Sequence, residues 1–268
     1  MAQRLIALEW DRVEARFVVA RLAPGKVAIE TAGHVIWGEG IDGPPGDAGA
    51  KIAAALAQAK ASRLDALVLV NRLQAEVKPL ELPPAPDADL PHMVRFAALK
   101  DLTTNNEDAP LDFVPRPGPA ELPREVLAAS LEPAVFLQYK QICQDAGIKL
   151  LRMGLRPCSG AALALRREVD KHPAAVLVVE LLPAQFDASL VLEGQTALVR
   201  TARIDAAKLA LDAGSYPRLV AEVRRTLAAC GPRLAGKRVE VIHLVGGAEN
   251  LQRFARHLGE ELDLPVDV

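Results

Sequence analysis

The chain has 268 residues and 50% of them are hydrophobic, which is enough apolar material for a large core or for two lobes. Its formal net charge is −2 with acidic and basic residues well mixed, and only 4% are aromatic, so we expect no nucleic-acid-binding surface. No apolar run approaches the roughly 20 residues of a membrane helix, and the N-terminus has no signal-peptide pattern, so a soluble cytoplasmic protein is expected.

The first seventy residues predict a hairpin unit, a helix and a buried strand. Residues 4–37 alternate in the way typical of three antiparallel strands, with a turn at Pro24-Gly25 between the second and the third. The alanine-rich segment 47–61 is a strong helix former. The continuous apolar run 64–70 is typical of a strand that is buried on both faces of a mostly parallel sheet.

The segment 75–155 predicts an inserted subdomain, because the composition becomes proline-rich where it starts. Its predicted elements follow the order strand, helix, strand, strand, helix, strand, with helices near Asp89 and over 135–147. This β-α-β-β-α-β order is that of a split βαβ module. A helix predicted from Ser159 to Val169 then returns to the first lobe.

The second lobe is predicted to start at residue 174 and to repeat the organisation of the first. An apolar strand is followed by two more, with a turn at Gly194. Each lobe opens with an apolar strand that ends in a glutamate, Glu9 in the first lobe and Glu180 in the second. This weak internal duplication predicts two related lobes that face a cleft.

A strand, a glycine pair and an amphipathic helix follow one another near the C-terminus. Val239 to Val245 is the predicted strand, Gly246-Gly247 the turn, and Ala248 the start of the helix. Such a corner brings backbone N–H groups and a helix N-terminus to one point, where a nucleotide could lie close to the main chain. The alternative is an ordinary strand-to-helix corner of an α/β domain, since a single Gly-Gly pair is a weak signal.

Taken in order, these segments resemble the actin-like (ribonuclease H-like) α/β fold. Within it they resemble the PilM family of type IV pilus assembly and the related cytoplasmic domain of the type II secretion protein GspL. Four stretches carry the resemblance: VNRLQAEVKPLELPP at 70–84, AGIKLLRMGLRPCSGAALAL at 146–165, LVRTARI at 198–204 and VIHLVGGAENLQRFARHLGEEL at 241–262.

The resemblance implies two lobes and an insertion. The first lobe comprises residues 1–74 and 156–173, the inserted βαββαβ subdomain 75–155, and the second lobe 174–268. PilM carries an additional subdomain in its second lobe after the strand that ends in R-x-I. Here only a short stretch separates Ile204 from the helix predicted at Tyr216, so we expect a reduced second lobe.

The resemblance also implies an adenine-nucleotide cleft built from three loops, and the first loop departs from the pattern. Glu9 stands at the position of the family's aspartate, and Asp11 stands where a glycine belongs. Arg12-Val13-Glu14 replaces small hydroxyl residues, and Arg16 replaces a lysine. Side chains at these positions would obstruct the approach of the backbone to a phosphate.

The second loop also departs from the pattern. Glu180 replaces an aspartate, Leu182 and Ala184 occupy both glycine positions, and Pro183 lacks the N–H that would bind an oxygen. The third loop, Gly246-Gly247, keeps its form.

The expected protein is therefore a pseudo-ATPase without cofactor or metal, in which Glu9 and Glu180 remain as remnants of the cleft. One alternative is a true ATP-binding ATPase or kinase of the actin/hexokinase superfamily, in which these carboxylates hold Mg²⁺ through water. Another is an unrelated α/β enzyme with Gly246-Gly247 in its active site. That enzyme would need a catalytic constellation, but the five histidines and three cysteines are scattered without metal or nucleophile spacing.

For the partner, the resemblance implies a non-enzymatic platform component that lies at the inner membrane and links a membrane protein to the assembly motor ATPase. In PilM the membrane partner, PilN, lays an N-terminal peptide into a groove between the inserted subdomain and the first lobe. By resemblance, residues 77–96 border that groove. The apolar candidates for contact, which the insertion would equally need for its own core, are Val77, Leu80, Leu82, Met93 and Phe96.

Overall fold

The computed structural model describes residues 3–37, 44, 46–104, 107–116, 118–167, 173–183, 185–247 and 251–268. The chain divides into two compact units. The first unit contains Met1–Ala75, Asn106–Pro110 and Leu131–Arg156, and the second contains Glu76–Asn105, Leu111–Ser130 and Pro157–Val268.

The described residues form both strands and helices. In chain order they are β1 (Gln3–Trp10), β2 (Glu14–Ala23), β3 (Lys26–Ile36), α1 (Ala48–Gln58), β4 (Asp65–Val70), β5 (Ala75–Leu82), α2 (Leu90–Asp101), β6 (Leu111–Pro115), β7 (Arg124–Leu131), α3 (Pro133–Asp145), β8 (Lys149–Leu155), α4 (Arg156–Arg167), β9 (Ala175–Leu182), β10 (Gln185–Leu192), β11 (Gln195–Ala202), α5 (Ala206–Leu211), α6 (Tyr216–Leu234), β12 (Val241–Gly246), α7 (Leu251–Leu262) and β13 (Val266–Asp267).

A five-stranded sheet in the order β3-β2-β1-β4-β8 forms the centre of the first unit. The first three strands are antiparallel, as the sequence predicts, whereas β4 runs parallel to β1 and β8 runs parallel to β4. Alternate residues of β1, namely Ile6, Leu8 and Trp10, are buried on one face. Helix α1 packs against α3 and β3, and Tyr139 of α3 stacks on Trp10 with ring centroids 4.4 Å apart.

The insertion differs from the expectation in its last two elements. The predicted order of strands and helices over residues 75–155 is observed, but only β5, β7 and β6 form the separate three-stranded sheet. Strand β8 instead pairs with β4, and α3 packs against α1. The physical reason is that β4 is an interior strand, so its backbone groups need partners on both edges, and β1 supplies only one.

The core of the insertion lies between its three-stranded sheet and α2. Buried apolar residues from β5, α2 and β7 meet there, with Met93 and Phe113 packed at the border of this cluster. Along α2 the buried positions recur at a helical spacing, which leaves the opposite face of the helix in solvent. The buried members of these three elements are Leu80, Leu82, Leu90, Val94, Ala98, Val126 and Ala128.

The second unit contains a five-stranded sheet in the order β11-β10-β9-β12-β13. Its first three strands are again antiparallel and the next two parallel, so it repeats the topology of the first sheet and confirms the predicted duplication. Both β9 and β10 are almost entirely buried. Helix α4 covers one face, where Ala161 and Ala164 meet Val176 and Val178, and residues of α5, α6 and α7 cover the other.

The connection between β11 and α6 is short. It contains α5 and a single 3-10 turn, Ala213–Ser215, which agrees with the expected reduction of the second lobe. The helix start predicted at Ala248 and the glycine position taken by Ala184 lie outside the described residues. Within the part of the chain that the structure describes, no helix is both long and apolar enough to cross a membrane.

Candidate functional site

The turn between β1 and β2 is closed by the side chain of Asp11. Its Oδ1 accepts hydrogen bonds from the backbone N–H groups of Val13 (2.7 Å) and Glu14 (3.0 Å). The backbone N–H of Asp11 donates to the carbonyl of Glu14 at 2.9 Å. In such a turn the carboxylate accepts hydrogen bonds from backbone N–H groups that would otherwise be available to an anion or to water. Val13 and Glu14 therefore offer no free N–H group to a phosphate.

Trp37 holds this turn from the end of β3. Its backbone N–H donates to the carbonyl of Val13 (3.0 Å), and its indole Nε1 donates to the carbonyl of Asp11 (3.2 Å). The Trp37 side chain itself is buried. The turn is fixed from two sides, by its own carboxylate and by this tryptophan.

Two guanidinium groups neutralise the acids at this turn. Arg16 contacts Glu9 (Nη1–Oε1 2.9 Å) and Glu14 (Nε–Oε1 2.7 Å), and its Nη2 lies 3.8 Å from Oδ2 of Asp11. Burial disfavours the charged guanidinium, but the hydrogen bond to Glu14 and the charges of all three acids outweigh it and raise the pKa of Arg16. Nε of Arg156, a buried side chain, lies 3.9 Å from the other oxygen of Glu9. Glu9 thus lies between two arginines.

Behind the turn, the end of β1 is joined to the start of the insertion. Trp10 stacks on Tyr139, whose hydroxyl donates a hydrogen bond to Gln74. Burial is the main cause that raises the pKa of Tyr139, so the phenol stays protonated and remains a donor. Gln74 belongs to the 3-10 turn Arg72–Gln74, which leads directly into β5, and Asn71 caps that turn by accepting from Leu73 N–H.

In the second unit, Glu180 of β9 and Asp187 of β10 lie directly opposite each other. Asp187 is fully buried and accepts hydrogen bonds from neutral donors, the hydroxyl of Thr201 and the amide of Gln185. Glu180 is also buried and lies against α4. A Cβ atom on Gly160 would come within 2.3 Å of its Oε1, so a side chain at that position would displace the carboxylate.

The glycine pair after β12 contains two glycines in different surroundings. Gly246 lies opposite Leu181 in the parallel pairing of β12 with β9. A Cβ atom on Gly246 would come within 2.9 Å of the Leu181 carbonyl oxygen, whereas one on Gly247 would meet nothing within 4 Å. Close strand packing is therefore sufficient to explain Gly246, in line with an ordinary strand-to-helix corner, while Gly247 has open space around it.

The structure brings the predicted cleft residues together in two sets. Glu9 and Asp11 share the β1–β2 turn of the first unit. Glu180 and Gly246 lie at the same end of the second sheet, because Glu180 pairs with Val245. Among the residues that the structure describes, no group of three or more His, Cys, Asp and Glu side chains is arranged to hold a metal ion.

The five apolar candidates for partner contact fall into two groups. Leu80 and Leu82 are buried, and Met93 packs against the same cluster, so all three serve the core of the insertion. Val77 on β5 is half-buried. Phe96 is 77% exposed on the outer face of α2, the largest exposed fraction among the exposed large hydrophobic side chains of the described residues.

The sequence analysis missed Arg156, Trp37 and Tyr139. Arg156 directly follows β8, which pairs in parallel with β4. Side chains at the carboxyl ends of adjacent parallel strands converge, so a prediction that paired β8 with β4 would have identified Arg156 as a site residue. Trp37 and Tyr139 gave no signal of their own, because an aromatic residue next to an apolar strand or within an amphipathic helix is typical of any core.

No protein-family model matches the chain, and no curated protein matches its sequence. Solved structures do match. A chain of a PilM–PilN type IV pilus biogenesis complex has a TM-score of 0.81 and 17% identity, with 98% of this chain and 87% of that chain covered. The cytoplasmic domain of EpsL, an inner-membrane component of the type II secretion system of Vibrio cholerae, has a TM-score of 0.56 and 10% identity, with 91% and 83% covered.

A protein of unknown function with an actin-like ATPase fold, from Bacteroides thetaiotaomicron, has a TM-score of 0.51 and 7% identity, with 99% of this chain and 91% of that chain covered. At these identities the similarities establish the fold. They confirm the predicted actin-like α/β architecture, and they agree with the resemblance to PilM and to secretion-system cytoplasmic domains.

Proposed function

We propose that this chain is a non-enzymatic scaffold of a type IV pilus or type II secretion assembly platform, which binds the cytoplasmic segment of an inner-membrane partner. The β1–β2 turn is the main observation in support of a protein without nucleotide chemistry. Its N–H groups at Val13 and Glu14 are bonded to Asp11, and its Glu9 carboxylate is paired with Arg16. A phosphate and its metal ion would have to displace both sets of contacts.

The fold similarity supports the type of machine. The PilM–PilN complex belongs by its description to type IV pilus biogenesis, and EpsL is by its description an inner-membrane component of a type II secretion system. The likeness extends over more than nine-tenths of this chain in both cases, so the insertion is part of it as well as the two five-stranded sheets. For this chain we propose a partner that resembles PilN, with an assembly motor ATPase as the second partner.

The turn of the second unit supports the same proposal. Leu182 ends β9 where the resemblance would place a glycine, and Pro183 follows with no N–H group to donate. The competing proposal is an ATP-binding ATPase or kinase, and the observation in its favour is the open space around Gly247. Gly247 alone is weak support for an ATPase or kinase, because neither hairpin has a phosphate-binding turn. The filled β1–β2 turn is stronger support for a scaffold.

We place the partner peptide along β5, beside Val77, with Phe96 as the second contact. β5 is an edge strand of its three-stranded sheet, and Pro79 within it is a residue that sheets accept at edges. Extended peptides bind such edges through backbone hydrogen bonds, and apolar side chains nearby provide specificity. Phe96 is a large exposed aromatic ring, which is typical of residues that dominate binding energy once a partner covers them.

The test is the binding of a fluorescent peptide from the N-terminal cytoplasmic segment of a PilN-like inner-membrane protein of the same organism, followed by fluorescence anisotropy. We expect Phe96→Ser to weaken binding about tenfold, equivalent to about 1.4 kcal/mol. Leu163→Ser is the matched control, because Leu163 is 61% exposed on a helix of the same unit; its Kd should stay within about twofold of the native value. No binding to the native chain, or equal loss in both variants, would overturn the proposal.

A further inference from the structure

We propose that the β1–β2 turn is a binding site that is filled permanently by the protein's own side chains. The Asp11 carboxylate takes the place of an anion on the backbone N–H groups, and the guanidinium groups of Arg16 and Arg156 take the place of a cation beside Glu9. This inference rests on the proposed function and deepens it, because it gives a physical reason why the first unit would not bind a nucleotide.

The anion half of the site is built from two neighbouring N–H groups. Those of Val13 and Glu14 point at the same oxygen of Asp11, at 2.7 and 3.0 Å. Successive N–H groups that converge in this way form a receptor for negatively charged oxygens. The Asp11 side chain is only 10% exposed, and it is tethered to the turn itself, so an external anion competes with a ligand of very high effective concentration.

The cation half is the neutralisation of Glu9. One of its oxygens contacts Arg16 at 2.9 Å, and Nε of Arg156 lies 3.9 Å from the other. The side chain of Arg156 is only 6% exposed, so little water competes for its guanidinium group. A divalent cation at Glu9 would have to move two guanidinium groups that are already paired.

The two halves are joined, because Arg16 also contacts Glu14 and lies near the second oxygen of Asp11. Removal of Asp11 alone would expose two converging N–H groups next to an arginine, which is a good environment for a small oxyanion. We therefore expect that a soluble carboxylate can bind in place of the deleted Asp11 side chain and restore stability to the variant.

The experiment compares the melting temperatures of the native chain and of Asp11→Ala in sodium chloride, sodium formate and inorganic phosphate of equal ionic strength. In chloride we expect Asp11→Ala to melt about 3–6 °C lower than the native chain. Formate or phosphate should restore at least half of that loss in the variant relative to native. A variant that melts like the native chain, or a loss that neither anion reduces, would overturn the proposal.

Asp212→Ala is the matched control. Asp212 also accepts a backbone N–H, from Gly214, in a turn, but that turn is exposed, and the carboxylate contacts the Ser215 hydroxyl where Asp11 has an arginine. Formate should therefore leave its melting temperature unchanged relative to chloride. Should Asp11→Ala fail to fold, Asp11→Asn keeps an acceptor for the two N–H groups; it should fold, and formate should not stabilise it. Stabilisation of Asp11→Asn to the same degree would count against the proposal.

These results are independent of the partner. No peptide is present in the melting experiment, so a failed rescue overturns the inference and leaves the peptide-binding result standing. A successful rescue together with no peptide binding would instead overturn the scaffold proposal and keep the inference.

Discussion

The two hairpins that open the five-stranded sheets hold the same place in the topology, yet they stabilise their carboxylates differently. At the β1–β2 turn, guanidinium groups neutralise Glu9 and Asp11. In the β9–β10 hairpin, Asp187 accepts hydrogen bonds from the neutral groups of Thr201 and Gln185. The first turn is half in solvent, whereas β9 and β10 are covered on both faces.

The difference shows two ways in which a carboxylate can be stabilised. A charged pair that is fully removed from water loses more hydration than its attraction returns, unless every remaining polar atom is bonded. Neutral donors that belong to the same sheet cost less to bury, and Asp187 accepts hydrogen bonds from two of them. The β1–β2 turn is partly exposed to water, which lowers the cost of placing a charged group there. One arginine, Arg16, can therefore form ion pairs with three acids.

The largest expected effect is at the buried hairpin. Asp187→Ala should lower the free energy of unfolding by about 3 kcal/mol, because it leaves the buried amide of Gln185 and the half-buried hydroxyl of Thr201 without their acceptor. Urea unfolding midpoints at constant m-value measure it. Asp187→Asn, which keeps an acceptor oxygen for Thr201, is the control and should cost less. A loss of under about 1 kcal/mol in Asp187→Ala would mean that its contacts carry little stability.

The glycine pair gives the next effect and has a built-in control. Gly246→Ala should cost about 1–3 kcal/mol, because its Cβ would press on the Leu181 carbonyl and push β12 from β9. Gly247→Ala should change the free energy of unfolding by no more than about 0.5 kcal/mol, since nothing lies near its Cβ. The same urea experiment compares the two. Equal losses would show that the backbone conformation, rather than the contact with Leu181, requires glycine.

The smallest effect is expected at the β1–β2 turn. Arg16→Ala should cost about 1 kcal/mol, because the arginine is partly exposed and water can solvate the acids that it leaves. The difference from the native chain should shrink in 1 M sodium chloride, where the Debye length is about 3 Å. Arg16→Lys keeps the charge and should recover part of the loss. A cost above that of Asp187→Ala would reverse the comparison between the two hairpins.

Most of the architecture could be predicted from the sequence, because it depends on local patterns. Alternation and the Pro24-Gly25 turn identify β1 to β3, and the duplicated strand–hairpin pattern identifies the second sheet. The position of β8 could not be predicted this way, since the choice of β4 as its neighbour is a long-range contact that no local signal encodes.

The candidate site was predictable only in part, for the same reason. The resemblance to the family places Asp11 where a glycine is expected, and so predicts an obstructed turn. That Asp11 binds the N–H groups of the turn depends on the conformation of residues 11–14. The approach of Arg156 to Glu9 depends on the placement of β8, and the need for Gly246 depends on its distance from Leu181.

The most direct test of the central claim is a calorimetric titration of the native chain with ATP, in the presence and in the absence of Mg²⁺. The filled β1–β2 turn predicts no heat of binding at millimolar ATP in either condition. Binding with a Kd below about 100 μM, equivalent to about 5.5 kcal/mol of binding free energy, would contradict the scaffold proposal. It would show that Asp11 and Arg16 give way to a nucleotide, and it would favour an ATP-dependent role for Glu9, Glu180 and Gly247.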